Sequence, residues 1–232
     1  MARPQQPRSA VSAVHPSAGT AVSTPASTSG PTAHPRRVVV LASGSGTLLQ
    51  ALLDDPAPRP YEVVAVGSDL AACRALERAV EHGVPTFTER VRDHSDRASW
   101  DAALARRCAE FGADLVVLAG FMKLVGPRFL DAFDHRVLNA HPSLLPSFPG
   151  MHAPADALEH GVKLTGCTAF LVDTGVDAGP IVAQRAVPVL DDDTVETLHE
   201  RIKVTERTLL VDVVRSLTAA PYRVDGRKVR LG

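Results

Sequence analysis

Cysteine is scarce in this 232-residue chain, and the three present, Cys73, Cys108 and Cys167, form no CxxC pair. A sparse, odd set of this kind argues against a disulfide framework and fits reduced thiols in the cytoplasm. Metal-ligand spacing is missing too. His141 and His152 lack the close pairing of a helical site, so no metal is expected. There is no excess of charge of either sign: 25 Lys and Arg stand against 26 Asp and Glu, for a net charge of −1. That balance gives no overall field to recruit nucleic acid or an anionic membrane. No apolar run approaches the length of a membrane span. What remains, 45% hydrophobic and 22% charged, is the composition of an ordinary globular protein, long enough for one large α/β domain or two small ones.

Residues 1–35 contain no Asp or Glu and almost no large apolar side chain; Ala, Pro, Ser and Thr dominate. Such a segment cannot bury enough surface to offset its ordering entropy, and it reads as a disordered tail. The lack of an apolar h-region argues against a secretory signal. Arg and Ser without acid would suit a transit peptide, but the prolines oppose the amphipathic helix such peptides form. The folded part is therefore expected at 36–232.

From Arg36 onward, strand and helix patterns alternate. Val38 to Ala42, Leu115 to Ala119 and Arg136 to Ala140 are short runs of the kind buried on both faces of a sheet, and Tyr61 to Val66 is a further strand. Helices are predicted over 47–54, over 70–82 ending at Gly83, and over 95–111 ending at Gly112. This rhythm argues a doubly wound, mostly parallel α/β sheet. Lys163–Val172 and Pro180–Val189 read as two strands joined by a turn-rich segment. A long helix follows over about 194–217, with Leu198, Ile202, Leu209 and Val213 on one stripe, and the Asp225-Gly226 pair predicts a terminal hairpin.

Two segments carry chemistry. Ser43-Gly44-Ser45-Gly46-Thr47 lies between the first strand and first helix, where small residues let backbone N–H groups close around a phosphate at a helix N-terminus. It is neither a full dinucleotide fingerprint, since Leu49 stands at the third glycine position, nor a Walker A loop. A tight turn without ligand is the bland alternative. The second segment is Asn139-Ala140-His141-Pro142. Residues two apart in a strand share a face, so Asn139 and His141 project together, and Pro142 puts them at the strand's carboxyl end, where open α/β sheets bind ligands. An Asn donor beside a His acid/base suits a reaction in which a carbonyl oxygen becomes negative. A strand-end cap with a satisfied histidine is the alternative. The rigid Pro142–Gly150 loop favours a site. Asp177, in a glycine-flanked turn, would favour the imidazolium and orient the ring if it met His141; by itself it is an ordinary turn residue.

Asn139-Ala140-His141-Pro142-Ser143-Leu144-Leu145-Pro146 resembles the signature of the formyltransferase family that uses 10-formyltetrahydrofolate. Within it, Val117 to Met122, Ser43 to Gly46 and Val176 to Pro180 are similar to the branch that formylates glycinamide ribonucleotide. The resemblance covers about residues 36–232 and implies a Rossmann-like formyltransferase domain, with 36–135 as a phosphate-binding half and 136–232 as a folate-binding and catalytic half. It implies Asn139, His141 and Asp177 as the catalytic trio, and Gly44, Ser45, Gly46, Thr47 and Leu48 as the loop holding the substrate phosphate. Met122, Lys123, Leu124 and Val125 match the segment whose backbone holds the pterin, and Asp173 to Asp177 the loop closing over it, so Asn139, Asp173 and Asp177 also count as folate contacts. Arg97 matches a further folate contact. Lys203 and Glu206 match helix positions meeting the glycinamide substrate; without the resemblance they read as an exposed helix ion pair. Leu48, Phe170 and Lys123 depart from the family pattern, where Asn, His and Arg are usual. The implied partners are two small molecules, glycinamide ribonucleotide and the cosubstrate 10-formyltetrahydrofolate, with no metal, on a monomer or homodimer. The alternatives are another formyltransferase or a hydrolase of the family, expected to carry a further RNA-binding or regulatory domain, or a non-catalytic phosphate-binding module.

Removing residues 1–35 is expected to leave the melting temperature and activity of the rest unchanged. A clear drop in melting temperature on truncation would show that the tail docks on the domain.

Overall fold

The structure is a computed structural model, and it describes residues 34–232. The expected tail therefore lies almost wholly outside the described residues. Nine strands form one sheet in the order β3-β2-β1-β4-β5-β6-β7-β9-β8. They are β1 Arg36–Leu41, β2 Tyr61–Ser68, β3 Thr86–Thr88, β4 Leu115–Leu118, β5 Val137–His141, β6 Leu164–Leu171, β7 Ile181–Pro188, β8 Tyr222–Asp225 and β9 Lys228–Leu231. The helices are α1 Thr47–Leu53, α2 Arg74–Glu81, α3 Arg97–Glu110, α4 Pro127–Ala132, α5 Ala153–Glu159 and α6 Val195–Ala219. The first five strands in the order pair in parallel; β5–β6 and β6–β7 are antiparallel. The terminal hairpin β8–β9 joins the sheet through a parallel pair at Ile181 and Lys228.

The alternation of β1 shows why the sheet is covered twice. Val38 and Val40 pack into a cluster with Leu49, Leu52, Ala75, Ile202 and Leu210, on the side of α1, α2 and α6. Val39 and Leu41 pack into a second cluster with Trp100, Leu104, Phe129 and Phe133, on the side of α3 and α4. Period-2 geometry divides one apolar run between two cores. α6 contributes its stripe of Leu198, Ile202, Leu209, Leu210 and Val213 to the first cluster.

Several boundaries differ from expectation. The helix predicted from 70 begins only at Arg74, because Asp69 and Leu70 are held by side chains instead of helical bonds: Leu70 N–H donates to the Ser68 hydroxyl at 3.1 Å. The helix predicted over 95–111 starts at Arg97, where the Asp96 carboxylate accepts the Ser99 N–H at 2.7 Å as N-cap. β3, α4 and α5 were not expected; with three, six and seven residues, none is long enough to show a period.

One buried polar knot ties α1 to α6. Asp55, just past α1, accepts two bonds from Arg215 Nε at 3.0 and 2.9 Å, one from Arg215 Nη2 at 2.7 Å and one from the Tyr61 hydroxyl at 2.8 Å. Burial alone would raise the Asp55 carboxyl, but the bonds from Arg215 and Tyr61 outweigh it and leave it below its ordinary value. The stability this lends is present above the unfolded carboxyl value and is lost as pH falls through the lowered one. Tyr61 is 1% exposed. Tyr61→Phe is therefore expected to lower stability by about 1–2 kcal/mol, measured by urea unfolding at pH 7. A change within error would show that Arg215 alone satisfies the carboxylate.

Candidate active site

The strand order reverses between β1 and β4. The connection leaving β1 enters α1 on one face, and that leaving β4 leads to α4 on the other. A crevice opens at such a point on the carboxyl edge of the sheet. All the sequence-predicted site segments follow the carboxyl ends of strands or flank that edge, except Lys203 and Glu206, which lie on α6.

The glycine loop turns from β1 into α1. Gly46 is the N-cap in the left-handed region, at φ 68°, and no side chain caps the helix. A Cβ there would lie 2.7 Å from the Ala75 Cα, so the close approach of α2 requires glycine as much as the dihedral does. The first-turn N–H groups are thus left to an external acceptor. Arg78 braces the loop from behind, donating to the Ser45 carbonyl at 2.9 Å and to Gln50 Oε1 at 2.7 Å. The Leu48 side chain is buried in the core, so this position offers only its backbone. A cleft of about 630 Å³ between α1 and α6 begins beside Thr47, Arg78 and Arg207; it reaches the glycine loop but not the trio.

β5 delivers Asn139 and His141, and the turn between β6 and β7 delivers Asp177. Val137 packs toward α4, so Asn139 and His141 emerge on that same face. His141 is 5% exposed. Its Nε2 lies 2.8 Å from the Phe148 carbonyl and its Nδ1 lies 3.5 Å from Asp177 Oδ2. Both ring nitrogens therefore face acceptors, which fixes the orientation of the ring. Asp177 takes φ 49°, and its Oδ2 also accepts the Gly150 N–H at 2.8 Å. The carboxylate therefore joins the 173–179 turn to the 142–150 loop, beyond what an ordinary turn residue does. The Asn139 side chain has no hydrogen-bond partner among the described residues and is free to donate outward. Phe170, its partner across the β5–β6 ladder, is buried and adds no polar group.

The segment after β4 lies next to the carboxyl end of β5. Met122 and Leu124 are exposed, at 59% and 66%. Arg97 reaches this segment: its guanidinium donates to the Leu124 carbonyl and lies 4.4 Å from the Trp100 ring centre. Lys123 Nζ pairs with Asp69 Oδ2 at 3.4 Å. In the 173–179 turn, Asp173 Oδ1 accepts the Gly175 N–H at 2.9 Å.

The exposed-pair reading of Lys203 and Glu206 is not what the structure shows. Lys203 pairs with Glu200 at 2.7 Å, while Glu206 is 6% exposed on the buried stripe of α6, without a hydrogen-bond or ion-pair partner among the described residues. Burial pushes its carboxyl up to about 7, against the opposing pull of Lys203 and Arg207. The period of α6 was the available signal, since 206 falls in line with Leu198, Ile202 and Leu210.

Sequence reasoning missed the groups that hold these segments. Thr168 donates to the Ser143 carbonyl at 2.7 Å and accepts the Leu145 N–H at 3.0 Å, and Gln184 donates to the Leu145 carbonyl at 2.8 Å. Asp101, 3% exposed, accepts the N–H groups of Gly126 and Phe129 and so anchors the end of the 122–126 segment. A polar residue inside a helix or strand carries no mark of such a partner in sequence.

An anion-ready loop on one side of a switch point, with an Asn, a His and a carboxylate on the other, defines an α/β enzyme of acyl-transfer type. The chain belongs to the formyl transferase family, which it matches over residues 36–214. It is 55% identical over 203 residues to phosphoribosylglycinamide formyltransferase of Mycobacterium tuberculosis, covering 87% of this chain and 94% of that protein. It is 40% identical over 191 residues to the trifunctional purine biosynthetic protein adenosine-3 of Bos taurus, covering 81% of this chain and 19% of that longer protein. The crystal structure of glycinamide ribonucleotide transformylase 1 from Symbiobacterium toebii superposes with a TM-score of 0.84 at 47% identity, covering 86% of this chain and 95% of that one.

Glu206 makes a stability test of the site. An unfolded Glu titrates near ~4.3, so raising it in the fold costs stability progressively as pH climbs from there to about 7. Glu206→Gln, without ligand, is expected to be more stable than the native chain at pH 8 by on the order of 1–3 kcal/mol, with the gain gone near pH 4. Equal stability of the two proteins at pH 8 would show that the carboxylate is compensated in solution.

Proposed function

We propose that the protein transfers the formyl group of 10-formyltetrahydrofolate to the amine of glycinamide ribonucleotide, a step of purine biosynthesis. The observation that carries this is His141 held between Asp177 and the Phe148 carbonyl, beside the Asn139 amide, which has no partner among the described residues, at the edge of the sheet that also carries the glycine loop. The relatives that share almost the whole domain bear the name of this activity.

The phosphate binds the N–H groups of residues 44–48, and Glu206, with Lys203 beside it, meets the glycinamide amine. The pterin lies against 122–125, flanked by Arg97 and the 173–177 turn. The neutral amine attacks the formyl carbon and a tetrahedral oxyanion forms. Asn139 and the imidazolium of His141 donate to it, and Asp177 holds that ring charged and oriented. Collapse breaks the bond from carbon to the folate nitrogen, and the proton lost by the amine passes to that nitrogen through water. Residues 36–135 supply the phosphate loop and residues 136–232 the trio. Among the described residues no helix is long and apolar enough to cross a membrane, and the free cysteines suit the reducing cytoplasm.

His141→Ala and Asn139→Ala are each expected to lower kcat by about 10²–10³-fold, as the loss of one oxyanion donor does, with Asp177→Asn costing at least ~10-fold and glycinamide ribonucleotide affinity little changed. The assay follows formylated ribonucleotide and tetrahydrofolate together. Near-native turnover in the first two variants, or formate release without formylated product, would overturn the assignment.

A further inference from the structure

Asp69 is a buried carboxylate that the proposed chemistry does not use. It follows β2, is 6% exposed, and has two partners. Oδ1 accepts the Ser43 hydroxyl at 2.5 Å, and Oδ2 meets Lys123 Nζ at 3.4 Å. Ser43 Oγ in turn accepts the Met122 backbone N–H at 2.9 Å. The Ser43 N–H donates to the Gly120 carbonyl at 3.1 Å, so the two segments are joined twice. Ser43 follows β1 and Met122 follows β4, the two strands between which the sheet order reverses.

The direction of these bonds is fixed by chemistry. An ionised carboxylate only accepts, so the single hydroxyl proton of Ser43 is committed to Asp69, and a lone pair is left facing Met122 N–H. Without the carboxylate the hydroxyl could turn, and nothing would hold it as an acceptor. The second carboxylate oxygen holds the next residue, Lys123, directly.

We propose that Asp69 is a positioning residue, which through Ser43 and Lys123 fixes the Met122–Lys123 backbone against the glycine loop and so sets the folate subsite relative to the phosphate subsite. The ligand names rest on the function proposed above; the backbone tie does not. Asp69 touches neither ligand, so its removal should act on one subsite selectively.

The test combines a ligand-free readout with two affinities. In Asp69→Ala, hydrogen exchange of the Met122 N–H should accelerate at least ~10-fold while the amides of α6 stay protected. Tetrahydrofolate should bind about tenfold more weakly, with glycinamide ribonucleotide affinity changed less than about threefold, each measured by calorimetry. Asp69→Asn should recover most of the loss, since its amide oxygen can accept the Ser43 proton. Adding Ser43→Ala to Asp69→Ala should cost little more, as for residues acting in one chain. Unchanged Met122 exchange, equal weakening of both ligands, or additive effects of the two substitutions would overturn the proposal. Should Asp69→Ala not fold, Ser43→Ala alone removes the acceptor with little change of volume, and the same exchange readout decides. A native chain that binds neither ligand would defeat the proposed function, while the exchange arm still judges the tie.

Discussion

Because strand order reverses between β1 and β4, the segments leaving those two strands diverge to opposite faces of the sheet. Everything at the site depends on that divergence. The apolar alternation of β1 gives each face its own core, so each face can carry a helix layer rigid enough to present a loop. α1 presents the glycine loop from one layer. α3, through Arg97 and Asp101, holds the 122–126 segment from the other. β5, next to β4, then places Asn139 and His141 at the edge where the two layers meet. A two-substrate reaction needs such an arrangement, because each substrate can be gripped by a different layer while their reacting atoms approach at the edge.

Buried and half-buried carboxylates mark where the architecture is under electrostatic load. Asp55 is satisfied by Arg215 and Tyr61, Asp101 by two backbone N–H groups, Asp69 by Ser43 and Lys123, and Asp177 by His141 and Gly150. Each of these joins segments distant in sequence. Glu206 has no direct partner among the described residues, although Lys203 and Arg207 lie near enough to oppose its upward shift. Since a buried group without compensation costs stability, Asp55, Asp69 and Asp101 are structural ties, Asp177 joins two loops at the site, and Glu206 is the position where the fold accepts a cost.

The central sheet was legible because β1, β4 and β5 are apolar runs with a turn signal after each, and such runs have few other uses. The glycine loop and the Asn139/His141 pair were legible for the same local reason: both depend on residues adjacent in sequence. What could not be read were contacts across the chain. Asp177 looked like a turn residue because its partners, His141 and Gly150, lie 36 and 27 positions away, as their numbers show. Asp69 stood between an expected strand and an expected helix with no mark in sequence of its contact with Ser43. Thr168 and Gln184 look like the polar alternation of any antiparallel strand.

The two groups left without direct partners among the described residues, the Asn139 amide and the Glu206 carboxylate, sit on opposite faces of the sheet. Asn139 shares the face of Val137 and the α4 layer, while Glu206 lies in the α6 layer near Cys167, whose thiol is pushed up to about 12 by burial and, secondarily, by the Glu206 charge. Asn139 offers donors and Glu206, when ionised, offers only acceptors. A transferred carbonyl needs the first and an amine the second. The donor side is coupled to a histidine with acceptors at both nitrogens, and the acceptor side is a carboxylate held near neutrality by its surroundings. In the function proposed above, electrophile activation is assigned to the β5 face and amine recognition to the α6 face. That separation explains why the Asn-x-His segment alone is insufficient to name the amine substrate. In that assignment the amine is told apart by the second layer, where Glu206 interrupts the apolar stripe of α6.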